Sequence, residues 1–145
     1  HNQWWVEQRI VSRSVFEKGN PTLAYEIAAN HVATSARDKA EAEFHAGFYA
    51  LRGLRDAKTA HKHFLKISSF AKSPITKARA NYWLGRAAEK GGPGNPVDYY
   101  TKANHFKTTF YGQLAAGKLN KTQFSIPYPR PTENERNKFN VAADW

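Results

Sequence analysis

The sequence predicts an all-α chain built from helical hairpins stacked as an α-superhelix, with seven or eight helices. Three observations predict it. A capping residue stands directly before proline three times, at Asn20-Pro21, Ser73-Pro74 and Asn95-Pro96. Asn and Ser accept hydrogen bonds from the free N–H groups of a first turn, and Pro is tolerated at the first helical position. Apolar residues recur at helical steps, as in Ala40, Phe44, Gly47, Leu51 and Leu54, or Ala57, Ala60, Phe64 and Ile67. No stretch alternates as a strand would.

The caps and stops place the elements at 3–18, 21–34, 37–52, 57–70, 74–90, 96–105, 109–118 and 133–142. Asp56 and Thr108 read as further N-caps, and Thr132 with Glu135 has the spacing of a capping box. Stops fall at Gly19, Gly53 and the Gly91-Gly92 pair. Short loops favour antiparallel packing of neighbours. Ala80, Trp83, Leu84, Ala87 and Ala88 form a broad apolar face, widened by Tyr82. Residues 1–123 thus read as one superhelical domain. Residues 124–145 read as a connector, with prolines at 127, 129 and 131, and the start of another helix.

A weak internal repeat supports stacking. A shift of 38 positions lays Phe44, Gly47 and Ala50 on Tyr82, Gly85 and Ala88, and a shift of 42 lays His63-Phe64 on His105-Phe106. A period of this size is the mark of helical solenoids.

Composition narrows the function. The 145 residues carry 22 Lys and Arg against 12 Asp and Glu, a formal charge of +10. That balance favours anionic partners. The basic residues form no run and no nucleic-acid motif accompanies them, so nucleic acid is disfavoured. The absence of Cys excludes disulfides and thiol catalysis. No apolar run reaches the ~20 residues of a membrane span. No signal peptide is present, and a chain opening on His1 reads as a mature or excised piece of something longer.

No catalytic constellation emerges. Glu41 and Glu43 flank Ala42 and point to different faces, one to solvent and one to an Arg on the next helix. Glu89 and Asp98 flank the Gly-rich loop as surface charges. His61 and His63 diverge by ~200° on a helix, unlike the i, i+4 pairs that bind metals. Neither a metal nor a cofactor is expected. One stripe stands out: Arg79, Trp83, Arg86 and Lys90, spaced by four, three and four, set a ring among three cations. Such a stripe suits a carboxylate-bearing or glycan ligand. Its structural alternative is that the arginines reach Glu43 or Asp98 and pin the hairpins together.

Residues 73–91 resemble the signature helix of the soluble lytic murein transglycosylases, S-P-I/V-S-x-A-R-x-x-Y-W-x-G-R-A-x-E-x-x-G, with Thr76 in place of Ser. Residues 108–115 resemble that family's T-x-F-Y-G-Q-L-A segment, and residues 42–52 its A-E-F-x-x-G-W-x-A-L-R helix, with Phe48 in place of Trp. Trp5, Arg9 and Ala24-Tyr25 also fit, so the resemblance covers roughly residues 4–120. It implies the family's non-catalytic superhelix, which precedes a lysozyme-like domain. That domain cleaves peptidoglycan between N-acetylmuramic acid and N-acetylglucosamine and leaves a 1,6-anhydro product. The family's catalytic Glu lies in a Glu-Ser motif, and no Glu here is followed by Ser. No catalytic residue carries over, so this segment is not expected to be an enzyme although its parent is.

The resemblance further implies a periplasmic location and two partners: the catalytic domain of the same chain and peptidoglycan strands. Arg79, Trp83, Arg86 and Lys90, with Tyr111 from the second segment, are the candidate ligand or interdomain contacts. The competing reading is a stand-alone protein-binding module of the tetratricopeptide or Sel1 type.

Overall fold

The computed structural model describes residues 2–124, and these are all-α, with no strand among them. The order is α1 (Asn2–Glu17), α2 (Pro21–Ala29), α3 (Ala36–Phe48) continued by one π turn (Tyr49–Gly53), α4 (Ala57–Phe70), α5 (Pro74–Glu89), α6 (Pro96–Asn104) and α7 (Phe110–Phe124). Each helix packs on the next in sequence, and α5 also touches α7. The expected helix at 133–142, the capping box and most of the connector lie outside the described residues.

The helix starts are set by side chains, as the sequence suggests. Asn20, Asp56, Ser73 and Asn95 accept from the backbone N–H of Leu23, Thr59, Thr76 and Val97. Each such cap is worth ~1 kcal/mol. Three expectations need correction. The second helix stops at Ala29 rather than at residue 34: Asn30 turns its own N–H and its side-chain amide back onto Glu26 O. Ser35 then caps a new start. The last cap is Thr109 and not Thr108, because the Thr109 hydroxyl accepts from Gly112 N. Finally, α7 runs through Phe124 rather than stopping at residue 118, and so enters the expected connector by one residue.

The π turn has a packing reason. Leu54 and Asp56 donate to Tyr49 O and Ala50 O, a wider closure than an α-helix makes. It brings Gly53 against the α1–α2 corner, where a Cβ would lie 2.5 Å from Pro21 Cβ.

Two apolar clusters hold the helices. Trp5, Ala24, Ala28, Ala42, Ala46 and Tyr49 join α1, α2 and α3. Phe64, Ile67, Tyr82, Trp83, Leu84, Tyr100 and Ala115 join α4 to α7. Burying one such large side chain stabilises by ~2–3 kcal/mol. Tyr25 and Phe48 pack against both clusters.

The internal repeat appears in the packing, but not wholly in the expected register. Gly47 of α3 lies under the Phe64 ring of α4, and Gly85 of α5 lies under the Tyr100 ring of α6. The first members are 38 apart, as expected. The rings are 36 apart, so Tyr100 answers Phe64, and Phe106 answers Phe70. The 42-residue shift is corrected accordingly.

Candidate functional site

The helical rise of α5 places Arg79, Tyr82, Trp83 and Arg86 along one side. The Arg79 guanidinium lies 2.9 Å from Glu41 Oε1 and 4.5 Å above the Phe44 ring. Trp83 is only 8% exposed and meets Phe44 and Phe48 edge-on at 5.7 and 5.5 Å. Arg86 donates to Tyr82 Oη at 3.0 Å, stacks 5.2 Å from the Trp83 ring, and stands 4.0 Å from Glu89. Tyr111 of α7 joins through Tyr82, with ring centroids 5.5 Å apart. Lys90 stands apart: it is the exposed C-cap residue of α5 and makes no ion pair with the stripe.

The structure therefore brings four of the five candidates together, in packing between α3, α5 and α7. The expected partners differ. Arg79 takes Glu41, not Glu43, and Arg86 takes Tyr82 and Glu89, not Asp98. Glu89 is also 3.4 Å from Lys118 of α7. Burial and the Glu89 carboxylate push the Tyr100 hydroxyl well above the usual phenol range.

Glu43 has a different role, which the sequence did not disclose. It is 6% exposed and accepts from two imidazoles. Ala33 N–H donates to His31 Nδ1 at 3.2 Å, which leaves the proton on Nε2 to be donated to Glu43 Oε1 at 3.1 Å. His63 Nδ1–H donates to Glu43 Oε2 at 2.7 Å, and His63 Nε2 accepts from Tyr25 Oη at 2.8 Å. Lys66 Nζ is 3.8 Å from Oε1. Burial alone would raise the Glu43 carboxyl; the bonds from His63 and His31 outweigh it and hold the carboxyl below its usual range. No residue-type motif marks this cluster, because its members come from α2, the following loop, α3 and α4.

The order hydroxyl, imidazole, carboxylate is that of nucleophilic triads. The chemistry is wrong for one. Burial and the carboxylates of Asp56 and Glu43 raise the Tyr25 hydroxyl, the opposite of activation. The network binds three elements of the chain to one buried charge.

Among the described residues, two clefts have volumes of about 410 Å³ each. The first is aromatic, lined by Phe16, Phe44, Phe48 and Tyr49 with Arg13 and Glu17. His45, also in its wall, bonds Glu41 O through Nδ1 at 2.7 Å, yet burial holds its pKa below the usual histidine value. The second cleft is cationic and lies among α4, α5 and α6. Among the described residues no cluster of His, Cys, Asp and Glu suits a metal ion, and no helix is long and apolar enough to cross a membrane.

Comparison of the chain with protein-family models, with curated proteins and with solved structures gave no match.

Proposed function

We propose that this chain is a non-catalytic superhelical segment of a periplasmic soluble lytic murein transglycosylase. Its parent would cleave the bond between N-acetylmuramic acid and N-acetylglucosamine with a 1,6-anhydro product. The segment's work is scaffolding: stacked hairpins that set the position of a catalytic domain on the same chain.

One observation supports this reading above the rest. Several of the residues that resemble the family's patterns are ones on which the helix packing depends, although Phe110 and Leu114 of the second pattern are exposed. Gly85 is the seat of the Tyr100 ring. Trp83 is core, Arg79 joins α5 to α3 through Glu41 and the Phe44 ring, and Arg86 braces Tyr82 and Trp83 within α5. At Gly112 a Cβ would collide with Phe106 O, so the Tyr-Gly pair of the second pattern also has a packing reason. Pattern residues that serve packing are consistent with a scaffold whose function resides in a site elsewhere.

The test extends the chain to its whole reading frame. The encoded protein and residues 1–145 alone are incubated separately with purified murein sacculi, and the products are resolved by mass spectrometry. The expected result is anhydro-muropeptide release by the whole protein and none by the segment. A reading frame with no wall-cleaving domain, or release by the segment itself, would overturn the proposal.

A further inference from the structure

α3–α4 and α5–α6 are one design used twice. Ser35 and Ser73 cap the first helix of each unit, and Gly47 and Gly85 receive the ring of its second helix. In that register Glu43 corresponds to Asn81. On the second helices Lys66 corresponds to Lys102, and Phe70 to Phe106.

The two units treat this groove in opposite ways. In the first it is filled from within: the Glu43 carboxylate takes two imidazole N–H bonds and has Lys66 beside it. In the second the carboxylate is replaced by a neutral amide, and Asn81 Nδ2 donates to Lys77 O at 3.0 Å. What stands there is the cleft of about 410 Å³, lined by Ser68, Lys77, Asn81, Lys102, His105 and Phe106. No carboxylate is in its wall. Among the described residues neither Lys77, Lys102 nor His105 has an ion-pair partner. Lys102 rests its ammonium 5.7 Å from the Tyr99 ring. The acid nearest in sequence, Asp98, sits one turn before Lys102 on α6 and outside the cleft.

We infer that the second unit takes from solution the carboxylate that the first unit supplies to itself, so that this cleft binds a small dicarboxylate. Two lysines at one cleft match two carboxylates, and the Asn81 amide and Ser68 hydroxyl provide neutral hydrogen-bonding groups. Phe106 gives the ligand's carbon skeleton an apolar wall. The volume lies within the range of small-molecule sites. Exposed lysines act through a high dielectric, so affinity falls as salt rises.

The test is a nuclear magnetic resonance titration of the ¹⁵N-labelled 145-residue chain with sodium succinate, ionic strength being held constant with sodium chloride. Saturable amide shifts centred on Lys77, Asn81, Lys102 and His105 are expected. Acetate should bind at least fivefold more weakly. The paired change Lys77→Ala and Lys102→Ala, both at exposed positions, should weaken succinate at least tenfold. Asn81→Glu restores the carboxylate of the first unit and should abolish saturation. Linear shifts in the unaltered chain would overturn the inference, whatever the variants do. So would a full succinate response in Asn81→Glu, or inorganic phosphate binding as tightly as succinate.

Discussion

Gly85→Ala should destabilise the chain although it puts a better helix former into a helix. Taken alone, the change from Gly to Ala favours a helix by about 1 kcal/mol. At this position the new Cβ would stand 2.5 Å from Tyr100 Cε1 and 2.8 Å from its Cδ1 and Cζ. Carbon atoms settle at about 3.5–4.0 Å, so the overlap is roughly 1 Å. Tyr100 is 1% exposed, and its ring cannot yield without displacing Tyr82. Overpacking of this kind costs about 1–3 kcal/mol, and an overlap this large belongs at the upper end. The net loss is then about 1–2 kcal/mol, or about 3–6 °C in Tm for a chain of this length. The control is Gly117→Ala in α7, where a Cβ would meet no atom within 4 Å. There the helix preference acts alone and Tm should rise by about 3 °C. Thermal and urea unfolding followed by far-UV circular dichroism measures both. Combining Gly85→Ala with Tyr100→Leu should cost less than the sum of the two single changes. Equal stability of Gly85→Ala and the unaltered chain, or equal losses at residues 85 and 117, would refute the reasoning.

Three further outcomes follow from the polar contacts. Glu43→Gln leaves one imidazole N–H facing an amide N–H, so urea unfolding should show a loss of about 2–3 kcal/mol. The Glu43 carboxyl is held low, so its stabilisation is present above the ordinary carboxylate range and lost as pH falls through the lowered value. Stability of the unaltered chain should therefore drop below about pH 4.5, and the Gln variant should show a shallower slope there. His45 is a base whose pKa burial lowers, so its contribution is complete above about pH 6.5 and declines as pH falls from there. His45→Gln should flatten the Tm profile between about pH 6.5 and 5. Arg79→Glu places a second carboxylate beside Glu41 and removes the cation over Phe44. It should cost about 2 kcal/mol in urea unfolding, with part of the loss recovered in high salt.

Local signals were legible and long-range partners were not. Asn20, Asp56, Ser73 and Asn95 cap where the sequence places them, because a cap is decided within four residues. The end of α2 is not legible in the sequence because Asn30 stops it with its own side chain, a signal weaker than glycine, while apolar Val32 and Ala33 continue the pattern. Thr108 and Thr109 offer the same hydroxyl, and only the distance to Gly112 N separates them. The stripe Arg79, Trp83 and Arg86 was visible from spacing. That Arg79 meets Glu41 depends on how α3 and α5 are rotated against each other, which spacing does not encode. Glu43 looked like a surface acid or an arginine partner. Its imidazole partners lie 12 residues before it and 20 after it.

The sharing of Tyr25 and Phe48 between the two apolar clusters has a kinetic consequence. The chain has a seam there. α1 and α2 can part from the rest by giving up the packing of Trp5, Ala24 and Ala28 on α3 and the bonds Tyr25–His63 and His31–Glu43, while the Phe64, Trp83 and Tyr100 packing stays closed. Opening is then a sequence of events in which α1 and α2 leave first. Amide hydrogens of α1 and α2 should exchange through this partial opening, and those of α4 and α5 only through global unfolding.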